Sequence, residues 1–463
     1  MTKGFFRKTL MSLTTIGALS PMVFMTSCGD VQAIQLANFE SYMDEELMND
    51  LQSKYNIHFP YYTVAEMIES KFQRYYDIAI PSGYEMLSLL RRGWLEPIDW
   101  KEFGIGISTP EQAKTLFVPE IIENINEQFT QYVFATDEGK DLQQYFPEGS
   151  VNLLKYGVPY FAQSFVFGYK GSPLTFYKYG TTEATSKPNW ADIYYTISPS
   201  NPNCDERFAP SAGKRLGMVN DAKSAYDIAR IAETRNEQPT NAIPEDDSKS
   251  RMLETFKTMT KPFKGGKSRF TLNSDSAVIS KGLADPKGYA GAFTWSGDSI
   301  YAAKGAGEYP ADPTNFHIQN VYGGSLDEVE FMVINKKNLK PEFEQKHKDI
   351  YQVVKQICLD GAQQSETEIV AFDDENDRYK YWTMQNFDTI NYTPMLANIY
   401  KAVSNKNSQY WQGESEEAIN LYIQILSQPQ RKDDDLVHLY GRTLTKLQNS
   451  NTHWAWLEAS TNL

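Results

Sequence analysis

Tyr76-Asp77-Ile78-Ala79-Ile80-Pro81-Ser82-Gly83-Tyr84 is the stretch on which the reading of the fold turns. Asp77 to Ile80 reads as a short strand, Pro81-Ser82-Gly83 stops it, and Tyr84 to Gly93 follows as a helix. The same rhythm occurs upstream. Ile34-Gln35-Leu36-Ala37 reads as a strand, and after a turn Asp44 to Lys54 places Leu47, Met48 and Leu51 on one helical face, with Asp44 suited to the N-cap. Strand, loop and helix in repetition predict an α/β sheet, in which ligands sit at the carboxyl ends of the strands. Asn38 to Tyr42 and Ser82 to Tyr84 fall at two such ends.

Further along, Val158-Pro159-Tyr160 opens an aromatic run to Tyr169 that reads as a strand passing between two lobes. Tyr289 to Trp295 and Phe331 to Ile334 read as strands, and the chain turns helical from Pro341 to about Gln364. Ser198 to Lys214 and Thr234 to Arg251 are polar and proline-rich, as surface loops inserted in the second lobe are. Glu416 to Leu426 and Leu436 to Leu447 read as amphipathic helices separated by Pro429.

The first 28 residues carry a separate message. Lys3, Arg7 and Lys8 precede an apolar stretch from Thr9 to Met25, and Met25-Thr26-Ser27-Cys28 follows. A basic head, a short apolar run and small residues before a cysteine read as a bacterial lipoprotein signal, with an ordinary cleaved signal or an uncleaved anchor as the competing readings. On the lipoprotein reading Cys28 is the lipidated first residue of the mature chain, palmitate being one of its acyl groups. Two acyl chains hold such a chain at the cell membrane without a spanning helix, facing outside the cytoplasm. Removing residues 1–27 takes the formal charge from -14 to -17 and leaves 436 residues, enough for at least two domains. So acidic a body disfavours nucleic acid and anionic lipid head groups.

Catalytic signatures are missing. The chain has no G-x-S-x-G, H-E-x-x-H, G-x-x-x-x-G-K or C-x-x-C, and His58, His317, His347, His438 and His453 are scattered. The reading is therefore of a protein that is not an enzyme and uses no cofactor or metal. Cys358 shares an apolar helical face with Tyr351, Val354 and Ile357, where a buried free thiol is the default, a disulfide with Cys204 being the minor alternative.

Several loop segments, in order, carry a resemblance. Asn38-Phe39-Glu40-Ser41-Tyr42, then residues 76–84, then Arg92-Gly93-Trp94-Leu95-Glu96-Pro97-Ile98-Asp99 resemble the first lobe of the spermidine/putrescine-binding proteins of ABC importers. Val158-Pro159-Tyr160 with Gly168-Tyr169 is similar to the family's crossing strand, Trp190-Ala191-Asp192-Ile193 to a second-lobe helix start, and Asn220-Asp221-Ala222 to its ligand loop. Ala292 to Asp298, Glu330 to Ile334 and Tyr392-Thr393-Pro394 follow in the family's order.

The resemblance implies a two-lobed, periplasmic-binding-protein-like (type II) α/β fold with a ligand cleft between the lobes. It implies a first lobe of residues 31–160 plus about 305–400, a second of 161–304, and C-terminal helices over 401–463. It further implies a monomeric substrate-binding protein that takes up a polyamine and delivers it to ABC permease subunits. The implied ligand-binding residues are Phe39, Tyr42, Ser82, Tyr84, Asp221, Trp295, Asp298 and Glu330. Aromatic faces suit ammonium and methylene groups alike, and carboxylates pair the charges. Glu40, Phe270 and Asp327 lie close to the implied positions. Two departures bear on specificity: Phe39 stands where the family has Trp, and Ser224 where its spermidine binders carry a second acid, a charge that Glu40 is placed to restore. The competing reading is a surface lipoprotein of the same fold acting in adhesion, or binding another cationic or small ligand, with no carboxylates and aromatics converging in the cleft.

Overall fold

The computed structural model describes residues 33–62, 66–213, 215–234, 248–263, 269–373, 375–432, 436–441, 446–461 and 463. The expected signal segment with Cys28, and most of the expected loop from Thr234 to Arg251, lie outside the described residues.

One mixed sheet organises the chain. Its strands run, from one edge to the other, Ile57–His58, Ile34–Phe39, Ile78–Ala79, Gly323–Ile334, Val158–Lys170, Gly291–Trp295, Leu216–Val219 and Phe270–Asn273. Ile34–Phe39 pairs in parallel with its neighbours on both sides, Leu36 opposite Ile78. At the other end Leu216–Val219 lies parallel to both Gly291–Trp295 and Phe270–Asn273. Between these two parallel units run the long antiparallel strands Gly323–Ile334 and Val158–Lys170, each belonging to both halves of the sheet. The strand–loop–helix reading of residues 34–54 and 77–93 is borne out: helices Glu45–Lys54 and Gly83–Arg91 follow their strands, and Asp44 caps the first by accepting from the Leu47 amide at 2.9 Å. Both parallel units aim their carboxyl strand ends toward the middle of the sheet, where the candidate residues lie.

The helices are tied down by apolar faces. In Glu344–Cys358, Ile350, Tyr351, Val354, Ile357 and Cys358 are buried, and the Cys358 sulfur rests 3.9 Å from Met332. Cys358 and Cys204 are both free thiols. The 198–213 stretch, expected as a surface loop, carries two short 3-10 turns and buries Phe208, whose carbonyl accepts from Arg269 at 3.0 Å.

The C-terminal part departs from its expected all-helical form. Glu416–Leu426 is a helix, but Leu436–Tyr440 is a strand, running parallel to Gly323–Asp327 of the long strand. Leu-Val-His-Leu-Tyr is short enough to suit either element, and the sheet decides. The Ile78–Ala79 strand covers only Val333 and Ile334, leaving the 323–327 edge open, and an open edge is a template for a further strand. Helix Lys446–Ser460 then packs on helices Ala222–Thr234 and Lys249–Thr260 at the opposite half of the sheet. Trp456 anchors it, with its ring 5.2 Å from Phe256 and its indole N–H donating to Asn220 at 2.8 Å. Among the described residues no helix is long and apolar enough to cross a membrane.

Candidate functional site

Two groups of side chains meet over the middle of the sheet. The first centres on Glu330, which lies where the pairing of the two long strands shifts register, so that its backbone bridges to Ser82. The Glu330 carboxyl accepts from the Tyr42 hydroxyl and, at 3.3 Å, from Gln163 Nε2. Tyr42 is turned inward by its backbone: its carbonyl accepts from Tyr160 Oη at 2.8 Å and from Asn38 Nδ2 at 3.0 Å. From the other half of the sheet comes Asp298, in the first turn of helix Ser296–Ala303, where an anion is favoured by the helix N-terminus. Thr294 Oγ1 donates to it at 3.0 Å, and the Ser276 and Tyr392 hydroxyls lie near enough to favour its charge. The Tyr392 ring stands 5.1 Å from that of Tyr42, edge to face, so the two tyrosines link the two acids.

Burial dominates the electrostatics here. It pushes the Asp298 carboxyl up to about 6 against the opposing pull of the Thr294, Tyr392 and Ser276 hydroxyls, with Asp275 adding repulsion. Burial likewise holds Glu330 well above the usual carboxylate range; the Tyr42 hydrogen bond opposes this, and the charges of Glu328 and Asp298 reinforce it. Two carboxyl groups starved of water, with the charge of one acting on the other, favour a cation beside them. The Ser82 hydroxyl, 3% exposed, has no hydrogen-bond partner among the described residues, and it sits at the same strand end.

The second group surrounds Lys223. Its ammonium lies 3.6 Å from the centroid of the Tyr84 ring and 3.0 Å from Asp227, one helical turn further on. Burial pulls the Lys223 ammonium down, but Asp227, Glu328 and Asp221 outweigh it and hold the group above its ordinary value. Gly441 closes this pocket from the C-terminal segment: a Cβ there would stand 2.6 Å from Lys223 Nζ and 2.9 Å from the Tyr84 ring. Glu328 acts on both Lys223 and Glu330, so the two groups adjoin.

Of the residues expected from the sequence, Tyr42, Ser82, Asp298 and Glu330 come together in the first group, and Tyr84 and Asp221 in the second. Asp221 also caps its helix, accepting from the amides of Lys223 and Ser224 at 3.0 and 3.3 Å. Trp295 is half-buried at the start of the Asp298 helix, edge-on to Phe165 at 5.2 Å. Phe39 packs against Tyr62 at 4.5 Å, with Tyr42 at 6.0 Å.

Three expectations are corrected. Glu40 is exposed and lines a cavity of about 320 Å³ that reaches Asn38 and Tyr42 and includes Met48, Gln52 and Phe59 but neither Ser224 nor Asp221, so it does not stand in for the acid absent at Ser224. Phe270 is in the core, 5.3 Å from Phe263. Asp327 is fully buried away from both groups' acids in its hydrogen bonding, accepting from Ser164, from Ser325 at 2.9 Å and from His438 Nδ1 at 2.5 Å. Lys223, Tyr392 and Gln163 were not anticipated; the i, i+4 spacing of Lys223 and Asp227 was the available signal for the first.

No curated protein matches the sequence. A family model described as a hypothetical lipoprotein (MG045 family) matches residues 5–458. Among solved structures, a protein of Listeria monocytogenes assigned to spermidine/putrescine ABC transport is 15% identical with a TM-score of 0.51, over 92% of this chain and 98% of that one. The spermidine/putrescine ABC transporter substrate-binding protein PotD of Streptococcus pneumoniae is 14% identical at 0.51, over 93% of this chain and 99% of its own. The Tp0655 (TpPotD) lipoprotein of Treponema pallidum is 14% identical at 0.50, over 92% and 99%. At this identity the likeness is one of fold, and the two-lobed binding-protein architecture expected from the sequence is the one observed.

Proposed function

Because the chain belongs to the MG045 family of lipoproteins, we propose that it is a lipid-anchored, monomeric substrate-binding protein that captures a small organic amine outside the cytoplasm and hands it to the permease of an ABC importer. The observation that carries this reading is the pair of buried acids Asp298 and Glu330, one from each half of the sheet, with the charge of Asp298 acting on Glu330 and the rings of Tyr42 and Tyr392 meeting at 5.1 Å beside them. A buried carboxyl pair destabilises the unliganded protein unless it is neutralised, and an ammonium group neutralises it. Tyrosine faces beside the acids add cation–π attraction, about 1–2 kcal/mol each when desolvated. Nothing in this arrangement positions a nucleophile against a base, so the site is suited to holding a cation rather than to reacting with it.

The finer assignment is a polyamine of the spermidine or putrescine class, held by Asp298 and Glu330 with Tyr42, Tyr84, Trp295 and Phe39 as apolar and cationic contacts. Asp221 adds negative charge, and Ser82 supplies a hydroxyl. The lobes proposed are residues 31–160 plus about 305–400, and 161–304. Hinged closure about the two long strands is the motion a permease would read, and Cys28 is the proposed lipid attachment. Isothermal titration of the mature protein with putrescine, spermidine and spermine tests the reading. Saturable binding of at least one amine is expected; no binding of any of the three defeats it.

A further inference from the structure

Lys223 is placed against ordinary helix electrostatics. It sits in the first turn of helix Ala222–Thr234, where the exposed backbone amides disfavour a cation. Its side chain is nevertheless 4% exposed, and a lysine stem that long usually carries its charge to water. Here the stem turns inward instead. The ammonium meets an aromatic face (Tyr84), one carboxylate in direct contact (Asp227) and two more close enough to act on it (Glu328 and Asp221). An aromatic face with converging acids is what the end of a bound amine requires. Gly441 comes so close that a Cβ there would stand 2.6 Å from the ammonium and 2.9 Å from the Tyr84 ring.

We propose that Lys223 is a tethered ammonium that fills one cation subsite of the cleft, so that the ligand is a short diamine held by Asp298 and Glu330, and triamines are excluded. This rests on the amine-binding reading above and narrows it. The acid in direct contact with Lys223, Asp227, is already paired from within the chain, which leaves the Asp298–Glu330 pair for the ligand. A third ligand ammonium would have to enter beside Lys223, where like charges repel at close range in a medium that screens them poorly. Ser224, whose hydroxyl is bonded to Asp221, brings no further charge to offset it.

The test is titration of putrescine and spermidine into the wild-type mature protein and into Lys223→Met and Lys223→Gln. Gln keeps hydrogen-bond donors for Asp227, and so guards against a Met variant that fails to fold. Wild type should bind putrescine at least tenfold more tightly than spermidine. Either substitution should tighten spermidine at least tenfold and change putrescine by less than threefold. The proposal is overturned if wild type prefers spermidine, or if both folded variants keep spermidine affinity within threefold of wild type; in those cases the amine-binding reading stands. If none of the three proteins binds either amine, the two fall together.

Discussion

Gly297 has no side chain at the point where the Tyr392 ring crosses the start of its helix: a Cβ there would lie 2.5 Å from ring carbons. That close approach brings the Tyr392 hydroxyl to Asp298, one residue further along. The site thus depends on a missing methyl as much as on its acids.

Gly297→Ala should therefore push Tyr392 away from Asp298 and lower stability by about 1–3 kcal/mol, the usual effect of overpacking. Urea unfolding monitored by fluorescence checks it. An unchanged midpoint means that the ring moves aside freely.

Asp298→Asn should weaken amine binding by roughly 2–4 kcal/mol, because a desolvated ammonium loses its partner. The unliganded variant should be more stable than wild type at pH 7.5, by up to about 3 kcal/mol, since a carboxyl raised from 3.8 to about 6 is held against its preference. Titration and thermal melts read the two effects. Loss of both binding and stability together would mean that Asp298 is only structural.

Affinity should depend on pH with a definite sign. A cation favours the ionised acid, so binding should weaken as pH falls through about 6, where Asp298 takes up its proton. Near that pH, binding should release protons, seen as a buffer-dependent heat. A flat affinity from pH 5 to 8 contradicts the assignment.

His438 links the C-terminal strand to the core, donating toward Asp327 and contacting the Arg431 carbonyl at 2.8 Å. Burial pulls its imidazolium down, but Asp327 outweighs burial and raises it above the ordinary value. A raised histidine contributes stability that is complete below its unfolded value of about 6.5 and is lost as pH rises through the folded one. Amide exchange in residues 436–440, corrected for intrinsic rate, should accordingly speed up as pH rises past that point, and His438→Ala should abolish the trend. Equal pH dependence in both proteins refutes it.

Cys28→Ala should release the protein from membranes, because the proposed acyl chains have no other site of attachment. Detergent partitioning of cells expressing each form provides the readout. Full retention of the variant counts against the anchor.

How much of this was legible in the sequence follows from how local each cause is. Ile78–Ala79 and the helix after it are fixed by neighbours in the chain, as is Asp44 as a cap, and their patterns announce them. The resemblance, likewise carried by loop segments, led to Tyr42, Ser82, Asp298 and Glu330. Leu436–Tyr440 could not be told from a helix, because what makes it a strand is an open edge more than 100 residues earlier, at 323–327. Lys223 escaped because a lysine on a polar helix ordinarily points to solvent; only the fold brings Tyr84 and Glu328 around it. Glu40 misled for the opposite reason: adjacency in sequence to Phe39 and Tyr42 says nothing about facing, and it faces out.

The C-terminal segment has a consequence for how the molecule is made. Strand Leu436–Tyr440 completes one half of the sheet, while the Leu463 carbonyl accepts from the Phe270 amide at 3.2 Å on the far edge of the other. Gly441 closes over a tyrosine at position 84. Pairings of such long sequence separation form slowly, and these cannot form before residues 436–463 have been synthesised. On the proposed reading of an exported lipoprotein, the Lys223–Tyr84 end of the proposed site is therefore still open while the chain passes the membrane, and closes only after passage.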